Sequence, residues 1–227
     1  MTDGASKDTA APSSLRLVLT LAIAGLLSGI AIIGIYESTL PTITANKARE
    51  LREAVFKVLP GVSQMQALVH REGALVAVGE PAKDEPVVYG GYDEQGEFIG
   101  YAVPGAGPGF QDTIALLYGY KPAEKQVVGM EILESRETPG LGDKIYKDAE
   151  FVAEFSALSI VPEIVTVKKG TGSEPNEVDA ITGATISSKA VVRIINETHT
   201  AWAEQLPPPG SEPEFVETES ASTEAGL

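Results

Sequence analysis

The sequence of 227 residues contains no cysteine. That absence excludes disulfides, Cys-ligated iron–sulfur clusters, c-type haem attachment and a thiol nucleophile together. Redox chemistry on this chain would need an organic cofactor. Histidine is nearly as scarce: His70 and His199 are the only two, far apart and without a carboxylate or histidine partner at helical ligand spacing. Both read as surface residues, and no metal site is expected. Basic side chains are in the minority, 17 Lys and Arg against 32 Asp and Glu, for a formal net charge of -15. Nucleic-acid binding relies on cations set against phosphates, so nucleic acid is excluded as a partner. No paired catalytic carboxylates and no nucleophilic triad stand out, and no catalytic residue is assigned.

What the chain does have, near its start, is a long apolar run. Residues 17–36 carry no charge, and about 20 helical residues match the hydrocarbon thickness of a bilayer. The apolar part of a cleaved signal peptide is only about 7–15 residues, and no A-x-A pattern closes this one. A single N-terminal transmembrane anchor is therefore expected. Lys7 and Arg16 precede it while Lys47, Arg49, Arg52 and Lys57 follow, so the positive-inside count does not fix the side. Long following domains translocate with little regard to charge, which leaves a cytoplasmic N-terminus over residues 1–16 and an exported soluble domain. Gly25-Leu26-Leu27-Ser28-Gly29 within the run is a GxxxG notch of the kind that packs against another membrane helix, although glycine is common in such helices anyway.

Beyond the anchor, Ala48, Leu51, Val55, Val58 and Leu59 follow helical spacing until Pro60-Gly61, which predicts a juxtamembrane helix over residues 45–59. Strand character marks residues 67–69, 74–78, 86–92, 97–103, 113–120, 127–133 and 163–168. Short turns at residues 93–96 and 121–125 favour antiparallel hairpins over βαβ crossovers. Helices are expected at 147–158 and 186–205. The fold class is α+β: a mostly antiparallel sheet with packed helices, forming a soluble domain over residues 45–205. The stretch 206–227 opens on three prolines and is rich in Glu, Ser and Thr, so a disordered acidic tail is expected. The glycine-rich segment 105–110 lacks a dinucleotide-fold context and reads as a loop bordering whatever pocket exists.

The densest chemistry lies at Asp179-Ala180-Ile181-Thr182-Gly183-Ala184-Thr185-Ile186-Ser187-Ser188. Val191, Ile194, Ile195, Thr198 and Trp202 then recur at steps of three and four, so a helix begins here with one buried face. Hydroxyls at a helix start suit two purposes. They cap the helix, or they stand beside unpaired N–H groups and the positive end of the dipole, where a phosphate is stabilised. Spacing alone leaves both open.

The motif from Asp179 to Thr185 closely resembles the D-x-x-S/T-G-A-S/T flavinylation motif of the FMN-binding domain family. A second stretch, Glu137-Thr138-Pro139-Gly140-Leu141-Gly142, looks like the E-T-P-G-L-G loop of the same domains, and the two occur in the expected order. With the anchor, the whole plan resembles the G subunit of Rnf electron-transport complexes. A close relative with the same layout is the C subunit of the sodium-pumping NADH:quinone oxidoreductase.

The resemblance implies covalent FMN, moved by a flavin transferase from FAD onto the hydroxyl matching Thr185. It implies electron transfer within an ion-translocating membrane complex, the other membrane subunits being partners, and an inner-membrane location with the soluble domain on the periplasmic or outer side. Thr182, Gly183 and Ala184 complete the attachment motif, with Thr182 standing where Ser is frequent. Asp179 would orient that motif, help place the transferase's metal, or close a turn. Thr138, Gly140, Leu141 and Gly142 would line the isoalloxazine, with Glu137 bonding inside the loop or to a neighbour. The alternatives are the C subunit of a sodium-pumping NADH:quinone oxidoreductase and, in a different class, a membrane-tethered, non-redox binding domain in which Thr185 only caps a helix.

Overall fold

The computed structural model describes residues 13–79, 81, 82 and 84–216. Contacts divide the chain into two units, Met1–Arg49 and Glu50–Leu227.

The first unit holds most of helix α1, Ser14–Val58. Leu19, Leu26, Ile32 and Ile35 are all exposed, and an 18-residue window of the helix has mean hydropathy 2.5 with none of it buried. A core helix of a soluble domain would hide such a surface, whereas a bilayer accepts it. Among the described residues α1 is the one helix long and apolar enough to cross a membrane. Residues 37–44, expected to separate the anchor from a second helix, are helical, Pro41 included. Their side chains are exposed, so no apolar period marks them.

In the second unit, seven strands form one antiparallel sheet in the order β2-β1-β3-β4-β5-β6-β7. They are β1 (Gln64–Arg71), β2 (Ala74–Val78), β3 (Val87–Tyr92), β4 (Phe98–Pro108), β5 (Thr113–Lys121), β6 (Gln126–Ser135) and β7 (Leu158–Ser159). Tight turns connect most neighbours. Glu72 and Gly73 both have positive φ, as a two-residue hairpin turn requires, and Asp93 closes the next turn by accepting from the Gln95 and Glu97 amides. A second, parallel pair joins β8 (Val165–Val167) to β9 (Glu177–Asp179). Helix α4, Thr185–Ala203, packs on β4 and β5.

Each face of the sheet carries its own core. Tyr101, Val103, Leu116 and Tyr118 point to a cluster with Val191, Ile194, Ile195 and Trp202 of α4. The intervening Ala102 and Leu117 point the other way, to Ala54, Val55, Val58 and Leu59 at the end of α1. The period of two along each strand assigns one helix to each face. Four successive strands place a glycine under the α1 end: Gly91, Gly100, Gly119 and Gly129 would each drive a Cβ into Val58, Leu59, Val62 or the Tyr120 carbonyl.

Several expectations are corrected. Gly105, Ala106 and Gly107 belong to strand β4, not to a loop; the two glycines lack side chains because Ile194 and Thr198 of α4 lie where those would go. The helix expected over 147–158 begins earlier, as α2 (Lys144–Lys147), and restarts at Asp148, whose carboxylate accepts from Glu150 and Phe151, as α3 (Ala149–Ala153) and a 3₁₀ turn at Glu154–Ser156. His199 is half-buried rather than freely exposed: its ring lies 4.7 Å from that of Tyr120, and burial pushes its pKa down.

The expected disorder from residue 206 also fails as far as Val216. The buried Gln66 and Tyr92 side chains bond to each other at 2.6 Å and to the tail: Gln66 Nε2 donates to Glu214 O, Tyr92 OH to Pro213 O, and Val216 N donates to Gln66 Oε1. The Phe215 ring lies 5.3 Å from that of Tyr92, tilted by 57°. Two buried polar side chains on β1 and β3 need partners, which composition does not reveal. Residues 217–227 lie outside the described residues. Truncation after Leu206 is expected to cost roughly 1–3 kcal/mol by stripping these partners, measured as a lowered urea midpoint. An unchanged midpoint would show that the strap carries no stability.

Candidate functional site

Three segments meet at one end of the sheet. The first is the β4–β5 loop, pinched by Gly109 N donating to Asp112 O at 2.8 Å. The second is the loop after β6, from Glu137 to Asp143. The third is the start of α4.

Glu137 joins all three. Its side chain is buried; Oε1 accepts from the Phe110 and Gln111 amides at 2.9 Å each, and Oε2 accepts from Ser187 Oγ at 2.5 Å. Burial alone would raise its pKa, but the bonds from Ser187, Gln111, Phe110 and Asp112 outweigh it and hold the carboxyl below its ordinary range. Gly142 packs against this carboxylate: a Cβ there would lie 2.8 Å from Glu137 Cβ and 3.0 Å from Ser187 Oγ. Asp143 fixes the loop tip by accepting from Gly140 N at 2.8 Å and pairing with Lys147. Gly140 has φ +79 with open space around it, so its glycine is needed for conformation.

The start of α4 is not capped in the way the hydroxyls suggested. Ala184 is the N-cap and makes no side-chain cap bond. Ser188 faces inward, accepting from Ile181 N and donating to Ala184 O. The Thr185 hydroxyl is exposed and has no protein partner among the described residues. The amides of Thr185, Ile186 and Ser187 likewise have no acceptor among them, the usual condition of a first helical turn. Gly183 supplies the turn before it at φ +84, again in open space.

Thr185 stands between two clefts. One, of about 370 Å³, is lined by Phe110, Thr138, Leu141 and Gly142 on one side and Gly183, Ala184, Thr185, Ile186 and Ser187 on the other. Three large apolar side chains there are more than half exposed: Phe110 at 65%, Ile186 at 57% and Leu141 at 51%. Apolar surface left open around a concave site marks a place for a ligand, and the volume suits a small molecule. The second cleft, of about 340 Å³, contains Thr182, Gly183 and Thr185 together with Lys168, Lys169 and Lys189.

The two sequence motifs, which start 42 residues apart, thus share one cleft. Thr138, Leu141, Gly142, Gly183, Ala184 and Thr185 line it, Glu137 braces it from behind, and Thr182 faces the other cleft. Asp179 is turned away: it accepts from Gly170 N and Gly172 N and so closes that turn. Sequence reading missed the Ser187 side chain, for which nothing local signals a distant carboxylate, and the three lysines, which come from two separate segments.

The FMN-binding domain family model matches residues 109–199, from the pinched β4–β5 loop to His199. Curated relatives share much more of the chain. The G subunit of a Na(+)-translocating ferredoxin:NAD(+) oxidoreductase complex from Acetobacterium woodii is 35% identical over 147 residues, 62% of this chain and 68% of that one. The G subunit of an ion-translocating oxidoreductase complex from Haemophilus influenzae is 31% identical over 182 residues, 78% of this chain and 84% of that one. The chain belongs to the family of G subunits of ion-translocating oxidoreductase complexes. A G subunit from Methanosarcina acetivorans is 28% identical over 78% of this chain and 88% of that one. The crystal structure of NqrC from Shewanella oneidensis has the same fold, at a TM-score of 0.53 and 19% identity, over 67% of this chain and 91% of that one.

In this member of the family, Glu137 is the brace of the cleft. Glu137→Ala leaves two amides and the Ser187 hydroxyl without their acceptor, an expected loss of roughly 2–4 kcal/mol. The carboxyl's folded pKa is lowered, so its contribution is present above the ordinary value of 4.5 and is lost as pH falls through the folded one. The stability gap between the wild type and Glu137→Gln should therefore be largest near neutral pH and close in acid. A gap independent of pH, in denaturant titrations from pH 7 downward, would contradict the assigned charge state.

Proposed function

We propose that this chain is a membrane-anchored electron-transfer protein that carries FMN as a phosphoester on Thr185, within an Rnf-type ion-translocating oxidoreductase complex. The single observation that carries the reading is the Thr185 hydroxyl: exposed, without a protein partner, and set where both motif loops meet an open apolar cleft. The residues present fit FMN. Phe110, Leu141 and Ile186 offer apolar contact to a flat ring, and the free amides of the first α4 turn suit the oxygens of a phosphate. When bound, FMN supplies reversible electron acceptance and release, and the protein sets its orientation and electrostatics.

Attachment needs only the Thr185 oxygen to bond to the flavin-side phosphorus of FAD. The pyrophosphate bond breaks, AMP leaves, and the hydroxyl proton passes to the flavin transferase. Glu137 holds the walls of the cleft, Asp143 the tip of its loop and Ser188 the turn beneath Thr185. A covalent tether suits a domain exported to the periplasmic or outer side, because a dissociated cofactor there is lost from the cytoplasmic pool. The names of the relatives point to the other subunits of such a complex as partners and to electron flow between ferredoxin and NAD(+) as the setting.

Coexpression with and without a flavin transferase, followed by ultraviolet illumination of a denaturing gel, tests the reading. A fluorescent band only with the transferase is expected, and little turnover by the isolated chain. No fluorescent band would favour the tethered binding domain; vigorous turnover without partners would favour a stand-alone flavin reductase.

A further inference from the structure

The two clefts that meet at Thr185 differ sharply in charge. The lining of the apolar cleft contains no charged residue. The lining of its neighbour contains Lys168, Lys169 and Lys189 and no Asp or Glu, in a chain where acids outnumber bases 32 to 17. Three lysines and no acid along one cleft wall is the reverse of what the composition favours.

The lysines arrive from two elements. Lys168 and Lys169 follow β8, and the turn after them is pinned by Asp179 through Gly170 N and Gly172 N. Lys189 lies one helical turn beyond Thr185, on the same face of α4. Lys169 is engaged with Glu150 at 3.3 Å. Lys168 and Lys189 have no ion-pair partner among the described residues. Lys169 is thus balanced by nearby acids, whereas Lys168 and Lys189 are not; two cations without ion-pair partners repel one another, and a bound anion relieves that cost.

We infer that this lysine cleft is an anion subsite that holds the phosphate of the flavin, with Lys168 and Lys189 as its positioning residues and the apolar cleft taking the ring. The inference rests on the FMN reading above, but not on the covalent bond. An amphipathic ligand with one flat apolar half and one anionic half matches the division of the two clefts about Gly183 and Thr185, which line both. The subsite also fixes direction: the phosphate is held on the lysine side, so the ring is presented past Thr185 toward Phe110 and Leu141.

The test compares free FMN with riboflavin, which differ only in the phosphate, on the full chain in detergent, expressed without a flavin transferase. Quenching of flavin fluorescence reads both affinities. FMN is expected to bind roughly tenfold more tightly than riboflavin. The ratio should fall close to one in Lys168→Gln/Lys189→Gln, with riboflavin affinity unchanged, and should recover in Lys168→Arg/Lys189→Arg. Equal binding of the two flavins by the wild-type chain, or a ratio untouched by the double substitution, would overturn the subsite. Because no attached flavin is needed, this failure is separate from failure of the Thr185 linkage, which the gel assay reads alone.

Discussion

Thr185→Ala is expected to abolish covalent flavin completely while leaving the fold as stable as the wild type. The first half follows from chemistry: a phosphoester needs an oxygen, and alanine has none. The neighbouring hydroxyls do not substitute. Ser187 is buried and committed to Glu137, and Ser188 is buried with both its bonds turned inward. Thr182 is exposed, but it lies before the Gly183 turn and faces the lysine cleft. The second half follows from the absence of a protein partner for the Thr185 side chain. An exposed, unbonded position near a helix start tolerates alanine within roughly 0.5 kcal/mol. Thr185→Ser keeps the oxygen and should restore fluorescence. Gel fluorescence and a denaturant midpoint, measured on the same preparation, separate loss of attachment from loss of structure.

Gly119→Ala is expected to have the largest effect on stability of any single methyl added to the domain. The new Cβ would overlap the Val58 carbonyl, and backbone cannot swing aside as a side-chain tip can. Gly129, its cross-strand partner, faces the same carbonyl at 2.6 Å, and Gly100 meets the Tyr120 carbonyl at 2.8 Å. Relief requires lifting the end of α1 off the sheet, which exposes the cluster of Val55, Val58, Leu59 and Leu117. Overpacking typically costs ~1–3 kcal/mol, and a clash with backbone belongs at the upper end of that range. Gly79→Ala is the control, since a Cβ there meets nothing and φ is not positive. Unfolding of both variants in detergent should show a large loss for the first and almost none for the second. Similar midpoints would mean that the helix end is not seated in the glycine trough.

Those glycines also show where the sequence was readable and where it was not. Strands β1 to β6 came through as β-branched and aromatic runs between turns, and α4 came through by its apolar stripe, because one face of that helix is buried. Gly105 and Gly107 hid the end of β4, since close packing of α4 removes the side chains that would have marked a strand. The two-residue β7 and three-residue β9 are too short to show a period. The motif singled out Thr185 but not its geometry: capping and phosphate binding call for the same hydroxyls, and the sequence does not reveal that Ser188 is bonded inward while Thr185 has no protein partner among the described residues. Glu137 carried no local sign of its role, because its partners lie 26, 27 and 50 residues away. The strap at Pro213 to Val216 was missed for the same reason: tail composition says nothing of Gln66 and Tyr92, which need it.

The most direct test of the account is the mass of the intact chain after coexpression with a flavin transferase, followed by sequencing of the peptide that carries any added mass. One FMN per chain, linked with loss of one water and located on Thr185, is the predicted result. An unmodified chain in the presence of active transferase, or flavin carried on any other residue, would contradict it.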